Sequence, residues 1–131
     1  MTYDPDSTPV FDSLDLLAFW NQQRAVAEKV LAAFIRSKNS YLSDMSQALL
    51  ARDLTAVRFS CHKLTGSAAT VRAGRVAQIS EEIRAAAIAD DYDTADRDFT
   101  RLQEAMIEFM TAIGQEFPAL QEKTASEVQL G

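Results

Sequence analysis

His62 is the only histidine in this 131-residue chain, and an imidazole is the side chain best suited to nucleophilic or proton-transfer work near neutral pH. Its immediate neighbours narrow the chemistry. Cys61 precedes it, but adjacent helical residues point about 100° apart, so the two do not form a nucleophile and base pair. One cysteine makes no internal disulfide, and one cysteine with one histidine cannot fill a structural zinc site. Glu81 and Glu82 lie on a charged face with no histidine four residues away, so no metal site is expected. There is no GxxxxGK[ST] run and no kinase-like glycine-rich loop, which leaves the chain without an ATP site of a known pattern.

On a helix, His62 has Arg58 four residues before it, Thr65 three after and Gly66 four after. A mid-helix glycine costs about 1 kcal/mol relative to alanine, so Gly66 asks for a packing or functional reason. With Ser67, Ala68 and Ala69 it forms a low wall beside the imidazole. Two readings follow: the small residues allow helices to approach closely and His62 is an ordinary surface residue, or they keep the ring open to a partner.

The elements that must position His62 read as helices throughout. Prolines occur only at Pro5, Pro9 and Pro118, and only Gly66, Gly74 and Gly114 interrupt the good helix formers between them. Ser13 is an N-cap candidate for a short lid helix carrying Leu14, Leu16, Leu17, Phe19 and Trp20, which Asn21 interrupts or re-caps. Apolar positions Val26, Val30, Phe34, Tyr41, Met45 and Leu49 predict a long helix over about 22–51. Asp53 caps a third helix whose seam is Leu54, Val57, Cys61, Leu64, Ala68 and Val71, leaving His62 beside the seam and Cys61 on it as a buried small hydrophobe. The pattern breaks at Arg72, Ala73 and Gly74, then resumes with Val76, Ile79 and Ile83 to about Ala89. Asp93 is the expected cap of a last helix carrying Ala95, Phe99, Leu102, Met106, Phe109 and Ile113. Trp20, Phe34 and the Phe99 to Phe109 stripe are expected in the core. The predicted fold is all-α: an antiparallel up-and-down four-helix bundle over 10–117 with a short N-terminal lid helix, a flexible segment 1–9 and a flexible tail 118–131.

Composition agrees with one globular domain, with 47% apolar and 24% charged residues. No run approaches the roughly 18 apolar residues of a membrane span, and the acidic start at Asp4 and Asp6 lacks the basic region of a secretory signal, so a cytoplasmic location is expected. The net charge of −6 argues against nucleic acid as a partner. It averages opposed regions: between Arg52 and Arg75, five basic residues (Arg52, Arg58, Lys63, Arg72, Arg75) face one acid, Asp53, a local charge of +4 against −10 for the rest.

The stretch 61–69, Cys-His-Lys-Leu-Thr-Gly-Ser-Ala-Ala, resembles the phosphorylation motif of the histidine-containing phosphotransfer (HPt) family. That motif has a histidine, an apolar residue two later, a lysine three later, a glycine four later and then small residues. His62, Leu64, Gly66, Ser67 and Ala68 match. Thr65 stands in the lysine's place, and Arg72 stands where a glycine is common ten residues after the histidine, which moves the flexible point of the joint toward Gly74. The resemblance implies that His62 is the phospho-acceptor. It takes a phosphoryl group from an aspartyl phosphate on a response-regulator receiver domain, or from a hybrid sensor histidine kinase, and passes it to another receiver. It also implies a phosphocarrier without kinase activity of its own, no resident cofactor, Mg²⁺ held by the partner receiver, and a monomer.

Thr65 removes a cation, so another must serve. Residues eleven before and eleven after Ala73 lie level in an antiparallel hairpin, which pairs His62 with Arg84. The planar guanidinium of Arg84 can give two parallel hydrogen bonds to phosphate, with Lys63, Thr65 and Ser67 as further candidates for stabilising the phosphoryl group. The competing expectation makes Arg84 a solvated residue paired with Glu81 or Asp91. Gly66, Arg58 and Ala69 are expected to provide access and docking, with Leu16 or Phe19 of the lid. A bundle that binds receivers without accepting phosphate is the alternative function, and Thr65 is the feature that favours it.

Overall fold

The computed structural model describes residues 8–120. Five helices follow in order: α1 (Ser13–Phe19), α2 (Arg24–Leu50), α3 (Leu54–Thr70), α4 (Gly74–Ile88) and α5 (Tyr92–Glu116). Helices α2 to α5 pack each on the next, and α5 closes back on α2, which makes the antiparallel four-helix bundle. Its core is most of the predicted set, but Leu54 is exposed and Trp20, Val26, Val30, Tyr41 and Phe99 are only partly buried. Leu31, Met45, Val57, Cys61, Leu64, Ile83, Leu102 and Phe109 are fully buried, and each large side chain so buried contributes roughly 1.5–3 kcal/mol. Phe109 meets Phe34 and Phe11 edge-on, both at 5.4 Å between ring centres, in the geometry that aromatic quadrupoles favour.

The joints explain why long helices turn back within three residues. At each of the last three joints the residue after the C-cap is left-handed: Arg52 (φ 51°), Arg72 (φ 61°) and Asp90 (φ 58°). The next residue then donates to the carbonyl five positions back. Asp53 reaches Ala48, Ala73 reaches Ala68 and Asp91 reaches Ala86, at 3.2, 2.8 and 2.9 Å. These are Schellman turns, and glycine is the usual occupant of their left-handed position. None of the three has it, at a cost of about 1 kcal/mol each. Two recover part of that cost, because Arg52 Nη1 donates to the Leu49 carbonyl and Arg72 Nη1 donates to those of Ala69 and Thr70.

Several boundaries differ from expectation. A non-glycine residue in the left-handed position, such as Asp90 before Asp91, gives no sequence signal of the joint. Asp12, not Ser13, caps α1 by accepting from the Asp15 N–H. Asn21 and Gln22 are left-handed, and α2 begins at Arg24. Asp91, not Asp93, caps α5, accepting from both the N–H and the hydroxyl of Thr94. Those bonds hold the Asp91 carboxyl below its ordinary pKa, so the cap persists as pH falls until that lowered value is crossed. Asp53 caps α3 as expected.

The packed unit also runs beyond 10–117. At its start, the Pro9 and Thr8 carbonyls accept from the backbone and side chain of Arg75. A Cβ on Gly74 would sit 3.0 Å from the Pro9 oxygen, so Gly74 serves this close approach and has no positive φ. The left-handed residue of the α3–α4 joint is Arg72 itself. At the other end, Phe117 and Leu120 are buried in the core cluster, so the expected tail begins no earlier than 121. Residues 1–7 and 121–131 lie outside the described residues.

The joints yield a prediction. Asp90 is exposed and left-handed, and replacing it with glycine removes the strain without opening a cavity. Asp90→Gly raises stability by about 0.5–1 kcal/mol in urea unfolding, whereas a lower midpoint would show that the joint is unstrained.

Candidate functional site

Helix α3 is fixed in rotation by one stripe. Val57, Cys61, Leu64 and Ala68 are all fully buried, and at about 100° per residue that phase turns His62 to the outside. The imidazole is exposed and, among the described residues, has no hydrogen bond, ion pair or ring contact. Gly66, one turn on, is exposed, and an added Cβ there would meet nothing within 4 Å. Close helix approach therefore does not explain this glycine. The space beside His62 is open, and Ala69 continues the low exposed ridge a further turn.

The cations around His62 sort themselves by partner. Arg52 is bonded to both carboxylate oxygens of Asp96, Arg72 to Asp15 and Arg75 to Glu108. Three of the five basic residues in the +4 segment are thereby neutralised by carboxylates from other helices. Arg58, one turn before His62, is exposed and pairs with no carboxylate among the described residues. Lys63 is exposed, with its ammonium 5.6 Å from the Phe59 ring and 5.8 Å from that of Tyr41. The two cations without a carboxylate partner in this segment are the two that flank His62.

Of the two expectations for Arg84, the pairing with Glu81 is the one the structure shows. Its guanidinium gives two bonds to Glu81, at 3.0 and 3.2 Å, and among the described residues no contact joins it to His62. The Ser80 hydroxyl donates to the Cys61 carbonyl at 3.2 Å, which sets Ser80 level with Cys61. Arg84 is four residues further from the joint than Ser80. The Arg84–Glu81 pair is near enough to act on Cys61, but burial is the main reason that thiol is pushed up to about 11. Cys61 therefore stays protonated and does not compete with His62 as a nucleophile.

Two further candidates turn away from the imidazole. The Ser67 hydroxyl is hydrogen-bonded to that of Tyr41 at 2.9 Å, on the α2 side of α3, where both line an open groove with Val30, Phe34 and Thr70. The Thr65 hydroxyl is buried and has no hydrogen-bond partner. At three residues after His62 it points toward the core side, where a lysine could extend past the edge of the helix but a threonine cannot. Of the lid residues, Leu16 is fully buried and belongs to the core, while Phe19 is 62% exposed. Phe59, which the sequence did not single out, is 64% exposed one turn before His62. Its signal was an aromatic residue off the seam, at position i−3 from the histidine.

Among the described residues no three of histidine, cysteine, aspartate and glutamate come together as a metal site, and no helix is long and apolar enough to cross a membrane. The geometry offers an uncovered imidazole on a rigid helix, a gap beside it, two cations and an exposed aromatic ring.

The Hpt domain family model matches residues 29–122. The match takes in α2 from Lys29 onward, α3, α4 and α5, and leaves α1 outside. No curated protein and no solved structure matches the chain.

The position of Thr65 generates a prediction. An unpartnered buried hydroxyl costs free energy that an apolar group of the same shape does not. Thr65→Val should stabilise the fold by about 1 kcal/mol in chemical unfolding, and a loss of similar size would mean that the hydroxyl is satisfied.

Proposed function

Because the chain belongs to the Hpt domain family, a family of histidine phosphotransfer in two-component signalling, we propose that it is a cytoplasmic, monomeric phosphorelay intermediate with His62 as its acceptor. A ring nitrogen of His62 attacks the phosphorus of an aspartyl phosphate on a receiver domain. The new P–N bond forms as the P–O bond to the aspartate breaks, and the carboxylate leaves with the electron pair. Reversal onto a second receiver regenerates the free imidazole. The receiver's own carboxylates hold the Mg²⁺, so this chain supplies position and charge.

The observation that carries this reading is the open space at Gly66 beside an unpartnered His62. A mid-helix glycine that relieves no close contact gives up helix stability for nothing the bundle needs. It makes sense where another molecule must come within bonding distance of the ring. Arg58 is the cation best placed to meet the phosphoryl oxygens, since it has no carboxylate to leave. Lys63 is second, and Arg84 contributes only by exchanging Glu81 for phosphate. Phe59, Gly66 and Ala69 make a shallow apolar and small-residue surface suited to a receiver helix.

Incubation with a phosphorylated receiver domain tests this. The wild type should acquire an acid-labile, base-stable label that is absent from His62→Gln, and Arg58→Ala should lower the transfer rate about tenfold, a loss typical of a charged hydrogen bond. Tight receiver binding with no label on the wild type would instead establish the adaptor alternative.

A further inference from the structure

Arg72 occupies a position where its backbone is unfavourable, and its side chain shows why. The residue is left-handed at φ 61°, in a turn that glycine would enter freely. From there its Nε reaches Asp15 of α1 at 2.5 Å, its guanidinium lies 5.1 Å from the centre of the Phe19 ring, and its Nη1 holds the last carbonyls of α3. The Arg72 carbonyl in turn accepts the Asp12 N–H that opens α1. One residue thus ties the C-terminus of α3 to the start, the acidic side chain and the exposed ring of α1.

Helix α1 has seven residues and little else to orient its outer face. Leu16 anchors it in the core, while Leu14 and Phe19 are 79% and 62% exposed. It also lies outside the family match. A standard protein interface covers about 800 Å² on each partner, a disc of roughly 16 Å radius. Arg72 is ten residues after His62, about 15 Å along the helix axis. A receiver centred on His62 therefore reaches α1 at its rim.

We propose that Arg72 is a positioning residue that latches α1 so that Phe19 becomes an apolar contact for the docking receiver, and so helps set which receivers this carrier accepts. The proposal rests on the phosphocarrier reading above. The latch acts on docking and not on the chemistry at His62, since it touches neither the ring nor its flanking cations.

The test uses the whole chain and a panel of receiver domains phosphorylated with acetyl phosphate and Mg²⁺. Potassium phosphoramidate serves as a small donor that needs no docking: its P–N bond breaks as the bond to His62 forms, and ammonia leaves. Arg72→Gly keeps a residue suited to the turn, and Asp15→Ala leaves the α3 cap intact, so both variants fold. For receivers that label the wild type, both should raise KM at least about fivefold with the saturating rate within about twofold, because the lost contact is made equally in ground and transition states. Labelling of His62 by phosphoramidate should not change. Trp20, the only tryptophan, packs edge-on against Phe19 at 5.0 Å, and its emission should move to longer wavelength in both variants. An unchanged KM in either variant would overturn the latch, as would a lower saturating rate at constant KM. So would His62 labelling by phosphoramidate with no transfer from any receiver. Failure of both donors to label His62 would overturn the carrier reading itself, and the latch with it.

Discussion

The structure depends on one side of α3 being locked while the other is left bare. Val57, Cys61, Leu64 and Ala68 are sealed against the neighbouring helices, and this stripe fixes the helix in rotation. Every property of the site follows from that phase. It turns His62 outward, lays Gly66 and Ala69 beside it as a low ridge, and sends Thr65 inward to a place where its hydroxyl has no partner. The bundle acts as a clamp on α3, and His62 lies on the side that the clamp leaves uncovered.

Electrostatics sharpen the same arrangement. Carboxylates on α1 and α5 take up Arg72, Arg52 and Arg75, all of which sit at or next to joints. Such exposed pairs are individually weak, about 0–1 kcal/mol. Their larger consequence is to withdraw three positive charges from the field around the histidine. The basic segment contracts to Arg58 and Lys63, one on each side of the ring. A local charge of +4 read from the sequence becomes two cations without a carboxylate partner, four residues before His62 and one after it.

The bundle, most of its core and the exposure of His62 were legible because each depends on periodicity. A seam of Val57, Cys61, Leu64 and Ala68 identifies its own helix and fixes where His62 points. What could not be read depends on atoms further apart in sequence. Asp91 caps α5 because Asp90 takes a left-handed turn that only a glycine would have advertised. Arg72 was expected to surrender the flexible point to Gly74, yet it keeps that conformation itself, since three acceptors and an aromatic ring converge on its guanidinium. For Arg84 the sequence offered two partners, and Glu81, three residues away on the same helix, is the one that holds it. Ser67 is drawn to Tyr41, twenty-six residues earlier, a pairing with no local signature. Leu16 and Phe19 are indistinguishable as apolar residues of one short helix, and only packing separates the core residue from the exposed one.

The central claim is that Gly66 is kept for access, against the helix's own preference. Gly66→Ala tests it most directly when unfolding free energy and transfer rate are measured on the same protein. With nothing within 4 Å of the new methyl group, the variant should gain about 1 kcal/mol of stability. Its rate of phosphoryl transfer from a receiver should fall, while labelling by a small donor stays near that of the wild type. A variant that loses stability, or that gains it with no loss of transfer from the receiver, would contradict the account.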